Sequence, residues 1–279
     1  MTAKLGTIGI WRWTGGLDAE LAAEVERLGY GTIWIGGSPS GDLEIVDTLL
    51  DATEHLTVAT GIVNMWSDDA ATVARSYHRI TARHPGRFLL GVGVGHPEAT
   101  QQYRKPYETI VSYLDELDEA GVPVADRALA ALGPKVLELS AERTAAAHPY
   151  LTTPGHTRWA REVLGDRVLL APEQKVVLDT DPERARAAAR PAVNNPYLKL
   201  RNYVNNLRRL GWADEEIADG GSDRLIDELA VHGDAEALAQ GVRAHLDAGA
   251  DHVCIQALPM DADPLPTYRA VAGALNLTG

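Results

Sequence analysis

The chain has 279 residues, with 26 basic against 39 acidic side chains, a formal net charge of −13 at pH 7 and one cysteine, Cys254. That balance argues against nucleic acid or an anionic membrane surface as a partner, and a lone cysteine excludes an internal disulfide. No start resembling a signal peptide and no apolar run of about 18 residues appears, so a cytoplasmic protein is expected.

Short apolar runs alternate with amphipathic stretches along the chain. Thr7–Ile10 reads as a first strand, and Leu17–Leu28 as a helix closed by Gly29. Thr32–Ile35 is a second strand and Leu43–Thr53 a second helix. Leu56–Val63 is a third strand, β-branched and apolar as a strand buried on both faces should be. Asp69–Arg83 is a helix stopped at His84-Pro85-Gly86, and Phe88–Val94 is a fourth strand. Tyr107–Glu119 is a helix ended at Gly121.

The second half repeats this rhythm. Ala128–Leu132 reads as a strand, Val136–Ala146 as a helix, His148–Thr152 as a strand and Pro154–Leu164 as a helix. Gln174–Leu178 is a strand, and Asp181-Pro182 opens another helix. Residues 195–229 hold two or three helical pieces broken at Gly211 and Gly220-Gly221. Asp234–Asp247 is a helix, Asp251–Leu258 a final strand and Pro264–Leu275 a final helix. Eight strands, nearly all followed by helices, predict a parallel α/β sheet of (β/α)₈ barrel size, with a helical insertion at about 195–229 before the last strand. An open doubly wound sheet is the alternative. No linker composition divides residues 1–279, so a single domain is expected.

Arg87–His96, RFLLGVGVGH, is the most informative stretch. Glycines within a strand mark a close approach by a ligand or by another chain segment. The run then ends on a titratable imidazole. Both readings of Gly91, Gly93 and Gly95 stand at this point: the floor of a ligand site, or a tight strand that admits bulky neighbours. The third strand ends similarly, with Gly61 followed by Asn64, Met65 and Trp66. In parallel α/β folds ligands bind beyond the carboxyl ends of the strands, where both stretches end.

Several chemistries have no motif. There is no HExxH and no His-x-His after the first strand, so no metal site is expected; GxSxG and GxxxxGK[ST] are also missing. Gly91–Gly95 spells GxGxG rather than the dinucleotide fingerprint.

TGIVNMW followed by a helix and GRFLLGVGVGH resembles the luciferase-like superfamily, and within it the actinobacterial coenzyme F420-dependent oxidoreductases. The likeness extends through GYGTIWIG at 29–36, LAALGPKVLELSAERTAAAHPYL at 129–151, NYVNNLRRLGW at 202–212 and GDAEALAQGVRAHLDAGADHVCIQ at 233–256. The resemblance implies the same barrel, with the cofactor's ring against a bulge at the end of the third strand, at Gly61, Ile62 and Asn64. That bulge often contains a non-proline cis peptide, here at Gly61–Ile62. It implies Gly93 and Gly95 beside the cofactor. It also implies a phosphate and tail region at Gly133, Thr152, Thr153, His156 and Arg158. His96 matches a position near substrate and is the candidate for proton transfer.

Trp11, Trp13, Ser38 and Trp66 are candidates for the wall of a substrate pocket. A related sugar-phosphate dehydrogenase carries an aspartate and a catalytic histidine where this chain has Gly37 and Ser38, so a sugar-phosphate substrate is not implied. The implied activity is hydride transfer between F420 and a small organic substrate, in a homodimer. The alternatives are an FMN-dependent monooxygenase of the same superfamily and a catalytically silent cofactor-binding subunit.

Overall fold

The computed structural model describes residues 3–95 and 105–278. In chain order the elements are β1 (Ile8–Trp13), α1 (Ala19–Arg27), β2 (Thr32–Gly36), α2 (Glu44–Asp51), β3 (Thr57–Thr60), β4 (Val63–Asn64), α3 (Ala70–Arg83), β5 (Phe88–Gly93) and α4 (Pro106–Glu119). They continue with β6 (Arg127–Leu129), α5 (Pro134–Arg143), β7 (Ala146–Ala147), α6 (Pro154–Leu164), β8 (Leu169–Leu170), β9 (Glu173–Val177) and α7 (Pro182–Asn194). The last are α8 (Arg201–Arg209), α9 (Asp214–Ile217), α10 (Asp223–Leu229), β10 (Ala230–His232), α11 (Ala235–Asp247), β11 (Val253–Ala257) and α12 (Leu265–Leu275).

The strands are ordered β10-β9-β11-β1-β2-β3-β5-β6-β7-β8, with β4 beside β5. β8 and β9 are two halves of one path. On one side Leu169, Ala171 and Glu173 donate backbone bonds to Ala145, Ala147 and Pro149; on the other, Asp251 and Cys254 donate to Leu170 and Pro172. Residues 169–177 therefore lie between β7 and β11 and close the barrel. Likewise β3 and β4 are one barrel strand interrupted at Gly61–Ile62. Eight barrel strands are present, as predicted in number, two of them broken and the sixth at Ala146–Ala147 rather than His148–Thr152. The short β10, parallel to β9, is an addition that the sequence pattern did not announce.

Strand alternation sorts the side chains. Ile8, Ile10, Ile33, Ile35, Val58, Leu90 and Ile255 face the helices, while Trp34, Ala59, Leu89, Ala128, Ala146 and Cys254 fill the barrel. Trp34 stacks on His148 with centroids 4.1 Å apart, and its Nε1 donates to His252 Nε2 at 3.0 Å. This plug occupies the interior and leaves the mouth, at the carboxyl ends of the strands, as the place for chemistry.

The helices start where short acceptors precede them. Asp18, Asp69, Asp181 and Asp234 each accept from a backbone N–H of the first turn. Two boundaries differ from the sequence reading. The helix expected to reach Ala146 ends at Arg143, because Thr144 is extended and the Ala145 N–H goes to Arg127 of β6. Ala146–Ala147 is then the strand, and the strand expected at His148–Thr152 is a mouth loop with Leu151 at φ 53°. Alanine-rich sequence reads as helix until a tertiary partner takes its N–H groups. In the expected insertion, α8 to α10 pack Tyr203, Leu207, Trp212, Ile217, Leu225 and Ile226 against Ala185, Ala189 and Val193 of α7.

Candidate functional site at the barrel mouth

The bulge between β3 and β4 carries a cis peptide bond at Gly61–Ile62. The rest of the mouth is built around it. A Cβ on Gly61 would stand 3.1 Å from both Trp11 Nε1 and His148 Nε2, so a side chain there would press on both. Both nitrogens are buried and have no hydrogen-bond partner among the described residues. The His148 ring bonds through Nδ1 to the Ala171 carbonyl at 2.7 Å; with Nδ1 as donor, Nε2 is a bare acceptor. Burial holds this imidazole at a pKa of about 4, so it is neutral at physiological pH. A buried donor and a buried acceptor without partners, both against a side-chain-free bulge, suit a ligand that brings polar edges of its own.

The fourth-strand glycines make room for protein rather than for open space. A Cβ on Gly91 would overlap the Thr60 carbonyl oxygen, and one on Gly93 would meet Ala130 at 2.8 Å and the Ile62 side chain at 3.1 Å. The close approach is therefore made by another chain segment, the bulge itself. Gly95 has φ +57° and lies against the Asn64 amide. Asn64 Oδ1 accepts from the Trp66 N–H at 3.0 Å, which shapes the turn after β4. His96 lies outside the described residues.

The predicted pocket tryptophans divide. Trp11 is buried at the mouth, with its ring 5.2 Å from that of Tyr150. Trp66 is half-buried, with its Nε1 enclosed and unpartnered among the described residues. Trp13 is 44% exposed and folds back on its own turn, against Gly15 and Gly16. Ser38 is exposed at φ 53°.

The predicted phosphate region forms around the start of α6. Thr153 caps the helix, accepting from the His156 N–H at 3.3 Å. Thr152 is 2% exposed, and its hydroxyl has no partner among the described residues. A crevice of about 280 Å³ opens beside them, lined by Thr153, Gly155, Gly211, Trp212, Arg224 and Glu228. Helix N–H groups and the idle Thr152 hydroxyl suit an anion, although the Arg224 guanidinium, stacked 4.0 Å from the Trp212 ring, is already paired with Glu216 at 2.6 Å. Arg158 is exposed on α6, and Gly133 caps α5 with open space around it.

Sequence reasoning missed the buried polar cluster across the mouth. Lys175 Nζ lies 3.1 and 3.2 Å from the Glu173 carboxylate and 3.1 Å from Gln256 Oε1, and all three residues are at most 1% exposed. Burial pushes the Glu173 carboxyl up and the Lys175 ammonium down, each being the other's chief counterweight. The signal was present: EQKVV at 173–177 puts two opposite charges on one face of an apolar strand.

Mouth, bulge and closed parallel sheet define a (β/α)₈ barrel with its site at the carboxyl ends of the strands. Residues 18–121 match the family model of luciferase-like monooxygenases. No curated protein sequence matches the chain. An F420-dependent secondary alcohol dehydrogenase in complex with an F420–acetone adduct is similar over 100% of both chains, with a TM-score of 0.74 and 15% identity. The coenzyme F420-dependent tetrahydromethanopterin reductase from Methanopyrus kandleri is similar over 96% of this chain and 98% of its own, with a TM-score of 0.72 and 16% identity. The oxygenating constituent of 3,6-diketocamphane monooxygenase from Pseudomonas putida, in complex with FMN, is similar over 96% of both, with a TM-score of 0.64 and 13% identity. These likenesses show a shared fold. Of these three proteins, two are F420-dependent and one is a monooxygenase component with FMN bound.

Proposed function

We propose that the protein is an F420-dependent oxidoreductase acting on a small organic substrate. The observation that carries the reading is the Gly61–Ile62 bulge, with the unpartnered Trp11 Nε1 and His148 Nε2 against it. The sequence resemblance along nearly the whole chain favours the deazaflavin over FMN. In this reading Gly61, Ile62 and Asn64 receive the ring, with Gly93 and Gly95 supporting the bulge from behind. Thr152 and Thr153, with the first N–H groups of α6, receive the phosphate, and Gly133 and Arg158 flank the tail. A bound deazaflavin supplies or accepts a hydride at C5.

The chain's own work is to orient and to exclude water. Trp11 and Trp66 wall the substrate side, with Trp13 and Ser38 at its rim. By the resemblance, His96 is one candidate to move a proton at the substrate; Tyr150, in the described mouth, is another. One domain spanning residues 1–279, a homodimer and a cytoplasmic location complete the proposal.

The test is a tryptophan-fluorescence titration of the purified protein with F420 and, separately, with FMN. The reading expects saturable quenching by F420, with FMN binding at least about tenfold weaker. The reverse order would assign the protein to the oxygen-using monooxygenases. Binding of neither would refute the enzyme readings.

A further inference from the structure

We propose that the Tyr150 hydroxyl receives the reacting oxygen of a neutral carbonyl or alcohol substrate and supplies its proton on reduction. This rests on the F420-dependent reading of the same mouth.

Position comes first. Tyr150 follows β7 at the rim. Its ring is 5.2 Å from Trp11, and the Trp11 nitrogen faces Gly61, so the phenol stands one ring away from the bulge. Its hydroxyl donates to Gln256 Oε1 at 2.9 Å and shares a hydrogen bond with the Tyr197 hydroxyl. Lys175 Nζ sits 3.8 Å from the Tyr150 ring centroid. Glu173, Lys175 and Gln256 are enclosed, whereas Tyr150 and Tyr197 are only half-buried. Tyr150 and Tyr197 are thus the members of the cluster nearest to solvent.

Electrostatics then chooses the substrate class. Lys175 and Glu173 cancel, so the cluster carries no net charge to hold a carboxylate or a phosphate ester. A neutral oxygen, with Trp11 against the carbon skeleton, suits it. A buried ion pair is poor evidence of stability, because desolvation offsets its attraction; such a pair in a cleft marks a functional candidate.

The chemistry balances. Hydride arriving from a reduced deazaflavin forms a C–H bond at the carbonyl carbon. The π pair moves to oxygen, and that oxygen takes the phenolic proton as the Tyr150 O–H bond breaks. Tyr150 regains a proton from solvent along its hydrogen bond to Tyr197; oxidation of an alcohol runs the same steps backwards. Burial holds the phenol well above its ordinary pKa, so it is protonated at neutral pH and acts as a donor. When the phenol turns to substrate, Gln256 Oε1 keeps Lys175 as a donor.

The experiment compares wild type with Tyr150→Phe, which keeps the ring under Lys175 and against Trp11. Cofactor-free protein is titrated with cyclohexanone and with cyclohexanecarboxylate by tryptophan fluorescence. The ketone is expected to bind at least about tenfold more tightly than the carboxylate, and Tyr150→Phe to weaken ketone binding about 3- to 10-fold, as for one neutral hydrogen bond. With reduced F420, kcat for the ketone should fall about 100-fold or more, with F420 affinity unchanged within twofold. Equal ketone binding by the two proteins, tighter carboxylate binding, or no ketone binding would overturn the proposal. Failure to bind F420 would overturn the cofactor reading, and the ketone titration would still judge Tyr150.

Discussion

Replacing Glu173 with leucine should lower the stability of the protein by about 3–5 kcal/mol, the range for breaking a buried ion pair from one side. Two losses combine. Lys175, 0% exposed, keeps Gln256 Oε1 and the Tyr150 and Tyr197 rings as partners for its charge among the described residues. The Leu151 N–H, which donates to Glu173 Oε2 at 3.1 Å, is orphaned, and Leu151 already sits at φ 53°, where a leucine is held only by its surroundings. Leu151 immediately precedes Thr152 and Thr153, so the start of α6, where the proposal places the phosphate, should loosen with it. The double variant Glu173→Gln with Lys175→Met buries no charge and keeps an acceptor for Leu151; it should recover most of the loss. Urea unfolding of the single and double variants checks this. A single variant within about 1 kcal/mol of wild type would mean that the pair does not hold the mouth.

Stability should also collapse in mild acid, and the cause is four buried neutral histidines. Burial lowers His148, His156 and His252 to about 4 and His245 to about 3. Each is fixed by a hydrogen bond to a partner in another element: Ala171 O, Leu132 O, Gly6 O, and the pair Thr157 Oγ1 and Gln174 Oε1. Their folded pKa values lie below the ordinary 6.5. Between pH 6.5 and about 4 the unfolded chain therefore takes up protons that the folded chain refuses. Stability falls as pH falls, by about 1.4 kcal/mol per pH unit for each histidine in that window. The contribution is fully present above about pH 7. The urea midpoint should be flat from pH 8 to 7 and drop steeply below 6. A midpoint unchanged down to pH 5 would mean that these imidazoles are protonated in the folded protein.

Much of this architecture was legible in the sequence because it is local. Asp18, Asp69, Asp181 and Asp234 announce helix starts, and the apolar runs announce barrel strands, because caps and period-two burial act within a few residues. What was illegible depends on partners far along the chain. His245 falls in the predicted helix Asp234–Asp247 and His252 in the predicted strand Asp251–Leu258, with nothing local to mark either as buried. They are buried because α11 brings His245 onto Gln174 of β9, and because His252 meets Trp34 from the other side of β1. Tyr150, Lys175 and Gln256 lie on three different barrel strands or their loops, so no window of sequence contains their cluster. The glycines of β5 were recognised as marking close approach. The segment that approaches is the β3 bulge, whose register against β5 appears only in three dimensions.

The most direct measurement of the central claim is a crystal structure of the protein soaked with F420. The account predicts the deazaflavin ring against Gly61–Ile62, within reach of Trp11 Nε1 and His148 Nε2, and the phosphate at Thr152, Thr153 and the start of α6. A ring seated elsewhere in the barrel, or a phosphate that leaves Thr152 and Thr153 untouched, would contradict it.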